Sequence, residues 1–116
     1  MKSGDIVLIR FPHTDLSNGK LRPALVIAVA PGHHADLLLA LITSRVYQAV
    51  PEFDEIIKHT EDDFSETGLK SRSVVRLGRL ATVDSAIINA RLGRVSAARL
   101  NGIKARLAAW LQAKES

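Results

Sequence analysis

Arg22, Thr43, Ser44 and Arg76 are the side chains whose types and settings suit chemistry on a phosphate. Arg22 precedes Pro23, and proline confines the residue before it to extended backbone, so this guanidinium leaves the chain in a defined pose. It presents a planar fork of donors and keeps its charge at any working pH. Thr43-Ser44 close an apolar run, where two hydroxyls can donate to phosphoryl oxygens as charge builds on them. Arg76 ends Ser73-Val74-Val75, and in a bent sheet it can converge on the same surface. Each has a plainer alternative: a solvated strand-end arginine, a turn-forming hydroxyl pair, an edge arginine on a basic face.

His13 follows Pro12 in a polar stretch and titrates near neutrality, which suits an acid or base as well as an idle loop residue. His33-His34 follow Pro31-Gly32. Adjacent histidines point apart on an extended chain and lack zinc-ligand spacing, so no metal site is expected. The aromatic content is 4%, which argues against an RNA surface built on base stacking. Phosphate loops, dinucleotide fingerprints, metalloprotease helices, calcium loops and Gly-x-Ser-x-Gly elbows are absent.

The elements that must position these groups are short strands. Residues 5–11 are β-formers ended by Pro12, and Asn18-Gly19 is a strong turn signal before a return strand over 21–30. Residues 36–43 contain the wholly apolar run Leu37 to Ile42, which predicts a strand buried on both faces. Further strands are expected over 53–57, over 72–77 and 80–84 around Gly78, and over 87–92 as a strand or extended connection broken at Gly93. Residues 62–69 read as a loop. Ser96 is a fitting N-cap for a terminal helix whose apolar stripe is Leu100, Ile103, Leu107 and Leu111, with Trp110 beside it and Arg99, Lys104 and Arg106 largely off it. Short strands followed by one amphipathic helix predict a mainly β domain: a small, strongly bent antiparallel sheet or barrel with the helix packed on it.

The 116 residues suffice for one domain and one modest core, so 1–116 is expected to be a single unit. Cysteine is absent, which excludes disulfides and thiol chemistry. No signal peptide or membrane span is visible, and a cytosolic location fits. The net charge is +4, but it is divided: acids crowd residues 52–66, and bases dominate from Lys70 onward. Such a division attracts a polyanion or an acidic protein, or simply keeps the chain soluble.

The order and spacing of several short motifs resemble the PemK/MazF family, the toxin half of bacterial type II toxin–antitoxin pairs. They are Gly4-Asp5-Ile6-Val7-Leu8 with Phe11-Pro12, Lys20-Leu21-Arg22-Pro23-Ala24-Leu25-Val26-Ile27, Ile42-Thr43-Ser44, Thr67-Gly68-Leu69, Ser73-Val74-Val75-Arg76, Ala81-Thr82-Val83-Asp84 and Leu92-Gly93-Arg94-Val95-Ser96. The resemblance implies an SH3-like barrel with a C-terminal helix, a homodimer, and a metal-independent, cofactor-free endoribonuclease (an mRNA interferase) that cuts single-stranded RNA through a 2′,3′-cyclic phosphate. By motif, Arg22 would be the main catalytic residue, acting on the phosphate and in proton transfer. Thr43 would hold or polarise the phosphate, Ser44 would assist, and Arg76 would be an acid and phosphate ligand. Some members carry a carboxylate base two residues after that arginine, where this chain has Gly78. The family also implies an acidic antitoxin lying over the RNA groove, with DNA contacted only through the antitoxin complex. A catalytically degenerate toxin that acts by binding RNA, DNA or a macromolecule such as gyrase is the alternative.

Overall fold

The structure is a computed structural model that describes residues 1–10 and 20–114. His13, the Asn18-Gly19 turn and the expected end of the first strand lie outside the described residues. The strands are β1 (Asp5–Ile9), β2 (Arg22–Val29), β3 (Leu37–Thr43), β4 (Glu55–Ile57), β5 (Ser73–Val83) and β6 (Ala90–Arg94), with helices α1 (Phe64–Thr67) and α2 (Ala97–Gln112). They form one six-stranded sheet in the order β4-β5-β3-β2-β1-β6, antiparallel at every pairing. The sheet curls into a half-barrel with α2 against it, which is the mainly β architecture expected.

Bulges produce the curl, because an extra residue in one strand bends it and sharpens its twist. On β2 the register against β3 shifts between Val26 and Ala28. On β5 the shift is larger: Ala40 pairs with Leu80 while Leu41 pairs with Arg76, which leaves Leu77, Gly78 and Arg79 out of the ladder. The two short strands expected around Gly78 are therefore one long strand with a three-residue bulge.

β1, β2 and β3 are covered on both faces, which is why they read as nearly continuous apolar runs. On one face Ile6, Leu25, Ile27, Ala40 and Ile42 pack with Ile103 and Leu107 of α2. On the other, Val7, Ile9, Ala24, Val26, Leu37 and Leu39 form a second cluster.

Ser96 caps α2 as expected, its Oγ accepting from the Arg99 N–H at 3.2 Å. The apolar stripe, however, stops at Leu107. Leu111 is 73% exposed, because the last turn of the helix carries it away from the core. Trp110 lies edge-on to Phe53 at 5.2 Å.

Two other expectations are corrected. The predicted loop over 62–69 contains the single-turn helix α1, ended by Gly68 in the left-handed region. The last strand begins at Ala90 rather than Ile87, since Ser85–Ile87 is a 3-10 turn capped by the Asp84 carboxylate. Gly93 does not break the chain but lies inside β6. A Cβ on Gly68 would stand 2.2 Å from the Leu92 carbonyl oxygen, and one on Gly93 2.2 Å from that of Glu66. Two glycines thus allow α1 and β6 to meet backbone to backbone.

Part of the divided charge is paired inside the fold. Arg99 leaves α2 into the acidic segment, where it donates to Asp63 at 2.9 and 3.0 Å, Glu55 at 2.6 Å and Glu61 at 3.0 Å. Its side chain is only 9% exposed, although it lies off the apolar stripe. Arg106 donates to the same Glu55. These bonds tie β4, the α1 approach and α2 into one piece.

Candidate functional site: a cationic double cleft

Register brings the candidate residues together. Ala24 pairs with Leu41, and Leu41 pairs with Arg76. Paired residues in an antiparallel sheet point to the same side, and residues two apart along a strand do so again. Arg22 stands two before Ala24 and Thr43 two after Leu41. Arg22, Thr43 and Arg76 therefore share one face, at the end of the sheet where its second apolar cluster gives way to polar side chains.

Two adjoining cavities open there. The larger, about 480 Å³, is bordered by Arg22, Thr43, Ser44, Arg45, Lys20 and Lys70, with Leu21, Leu69 and Leu92 among its apolar walls. The smaller, about 260 Å³, is bordered by Arg22, Thr43, Arg45, Gln48, Arg76 and Arg79. Arg22, Thr43 and Arg45 are the wall between them. Ser44 reaches only the larger cavity and Arg76 only the smaller. Among the described residues no Asp, Glu or His lines either one.

The hydroxyl of Thr43 is oriented. Its Oγ1 accepts from the Arg45 N–H at 3.1 Å, which directs the hydroxyl proton to another partner. Arg76 is held more firmly than an edge arginine. Its Nε donates to Asp54 Oδ2 at 3.0 Å and its Nη1 to Gln48 Oε1 at 3.1 Å. The Asp54 side chain is 1% exposed. It also accepts from the Val50 N–H and, across the bulge, from the Leu77 N–H, both at 2.8 Å. The bonds from Arg76 and the Leu77 N–H clamp the segment after β3 onto β5.

Sequence reasoning missed Asp54, Gln48, Arg45 and Arg79. Asp54 is one acid in an acidic run, and nothing in one dimension separates a buried clamp from a solvated neighbour. Replacing it by asparagine keeps the shape but removes the charge and one acceptor oxygen. Asp54→Asn is expected to cost about 2 kcal/mol, read as a lower urea midpoint at unchanged slope. A loss under about 0.5 kcal/mol would place Asp54 among ordinary surface acids.

The fold is shared by solved structures across almost their whole length. An endoribonuclease in complex with its cognate antitoxin from a mycobacterial species superposes with a TM-score of 0.67 at 19% identity, covering 100% of this chain and 99% of that one. MazF of a MazE-MazF complex from Deinococcus radiodurans gives 0.67 at 20% identity, over 98% and 97% of the two chains. The Mycobacterium tuberculosis toxin MazF-mt6 gives 0.62 at 18%, over 96% and 99%. Those likenesses define the fold. The sequence then defines the family: residues 2–111 match the PemK-like, MazF-like toxins of type II toxin–antitoxin systems, and the chain belongs to that family. No curated protein sequence matches it significantly. No helix among the described residues is long and apolar enough to cross a membrane.

Proposed function

We propose that this protein is a toxin endoribonuclease that cleaves single-stranded RNA without a metal, at the wall between the two cavities. The observation that carries the reading is the convergence there of Arg22 and Thr43 from the facing ends of β2 and β3. In the reaction the ribose 2′-oxygen gives up its proton and attacks the adjacent phosphorus, the bond to the 5′-oxygen breaks, and a proton passes to that departing oxygen. The products are a 2′,3′-cyclic phosphate and a 5′-hydroxyl. Charge grows on the non-bridging oxygens as the fifth bond forms. A guanidinium and an oriented hydroxyl in a concave site offset that charge without reorganising. Arg22 supplies the guanidinium and a proton-transfer path to the departing oxygen, Thr43 supplies the hydroxyl, Ser44 supports the strand in the larger cavity and Arg76 grips phosphate from the smaller. His13, in the polar stretch after Pro12, is proposed as a further substrate ligand.

The same cationic double cleft suits the acidic tail of a cognate antitoxin, and the family relation supports a homodimer acting in the cytoplasm, with DNA reached only through the antitoxin complex. A binding-only toxin is the second reading, favoured by the lack of any carboxylate along the cavities among the described residues. Gly78, where some relatives carry a base, faces nothing nearer than the Phe53 ring at 3.9 Å from a would-be Cβ. End mapping separates the two. In excess chelator the purified protein is expected to cut single-stranded RNA and leave cyclic-phosphate and 5′-hydroxyl ends. Growth arrest with intact RNA would select the binding reading.

A further inference from the structure

Four guanidiniums, those of Arg22, Arg45, Arg76 and Arg79, border a cavity of about 260 Å³. Like charges crowded into such a concavity raise its potential and draw in an anion. Of Arg45, Arg76 and Arg79, only Arg76 is bonded to a carboxylate among the described residues, that of Asp54. That carboxylate cannot turn inward, because its oxygens also hold the Val50 and Leu77 N–H groups. Arg76 is therefore pinned through Nε and Nη1, and its Nη2 donors have no acceptor among the described residues. Arg45 and Arg79 form no ion pair among the described residues. The β5 bulge places Arg79 here: it buries Leu77 in the core and leaves Arg79 exposed at the rim.

The two cavities differ in what they can hold. The larger has leucine and proline walls beside its polar groups, which suits a base or sugar. Four of the seven residues that line the smaller are arginines, beside Leu41, Thr43 and Gln48. Resting on the nuclease reading above, we propose that the smaller cavity is a subsite for a second phosphodiester of the same RNA strand, next to the one at Arg22 and Thr43, with Arg45 and Arg79 as its distinctive ligands. An RNA strand is favoured over an acidic peptide because the subsite opens directly from the wall where the reacting phosphate would lie.

The test is salt-dependent binding of a random-sequence 2′-O-methyl oligonucleotide, which has no attacking hydroxyl and so separates binding from cleavage. Each phosphate contact on a single strand contributes about 0.7 to the slope of log affinity against log salt. Between about 50 and 200 mM salt, Arg79→Ala and Arg45→Ala are each expected to flatten the slope by about 0.7. Arg79→Lys, which keeps the charge, is expected to preserve it. Parental slopes in both alanine variants would overturn the subsite. So would alanine variants that weaken only the binding of an oligoglutamate peptide, which would make the cavity a carboxylate site. A parent protein that binds the oligonucleotide with the expected slopes but never cuts unmodified RNA sinks the nuclease reading and upholds the subsite.

Discussion

Arg22→Ala lowers the rate of RNA cleavage by about a thousandfold or more while the protein stays folded. The magnitude follows from what the side chain is placed to do. Removing one preorganised donor from a site of developing oxyanion charge costs about 10²–10³ in rate, and a phosphate-directed arginine about 10³–10⁵. Arg22 sits on the wall common to both cavities, so one truncation weakens the grip on both sides of the reacting phosphate. Lysine at this position restores a charge but not the planar fork, and Arg22→Lys is expected to recover only a small part of the lost rate. The measurement is single-turnover cleavage of an end-labelled RNA at saturating protein, with circular dichroism to confirm the fold. Cleavage by Arg22→Ala at the parental rate would remove this residue from the mechanism and leave Thr43 without its proposed partner.

Arg99→Met is expected to cost about 3–4 kcal/mol of stability, a fall of more than about 10 °C in melting temperature. Exposed ion pairs are worth about 0.2–1 kcal/mol, but Arg99 is 9% exposed and serves Asp63, Glu55 and Glu61 together. Removing it strands the mostly buried Asp63 and takes a guanidinium from Glu55, which keeps Arg106, and from Glu61, which keeps the Lys58 N–H. The Arg99 hydrogen bonds hold the Asp63 carboxyl below its ordinary 3.8 against the opposing effect of burial. The Lys58 N–H, then Arg99, hold that of Glu61 below its ordinary 4.5. Both carboxylates are more acidic folded than unfolded, so they stabilise the fold above their ordinary values. That contribution is lost as pH falls through the lowered ones. Parental stability is therefore expected to drop below roughly pH 4.5, with a shallower drop in Arg99→Met. Some acid sensitivity remains in the variant, since burial of Asp5 is outweighed by bonds from the Lys2 N–H and Arg91 that keep its carboxyl low as well. A variant melting within about 2 °C of the parent at neutral pH would show that the network is ornamental.

Local signals in the sequence were enough for the mainly β class, the central strands and the capped terminal helix. Each depends on neighbouring residues: the apolar run from Leu37 to Ile42, the Arg22-Pro23 entry to a strand, Ser96 before a helical period. Residue type and setting singled out Arg22 and Thr43, and the family motifs added their roles. What the sequence could not contain was distance between remote residues. Gly93 read as a break because a glycine's local preference says nothing of the backbone packed against it. Leu111 matched the helical period, but burial also requires something opposite, and the sheet has ended there. Arg99 and the acids at 55, 61 and 63 read as solvated charges, because an ion network is defined only once β4, α1 and α2 are docked. The arginine cavity likewise depends on a bulge that adds Leu77, Gly78 and Arg79 to one strand and none to its partner. A bulge is a mismatch between two paired strands, so it exists in the tertiary structure and not in either strand's residues alone.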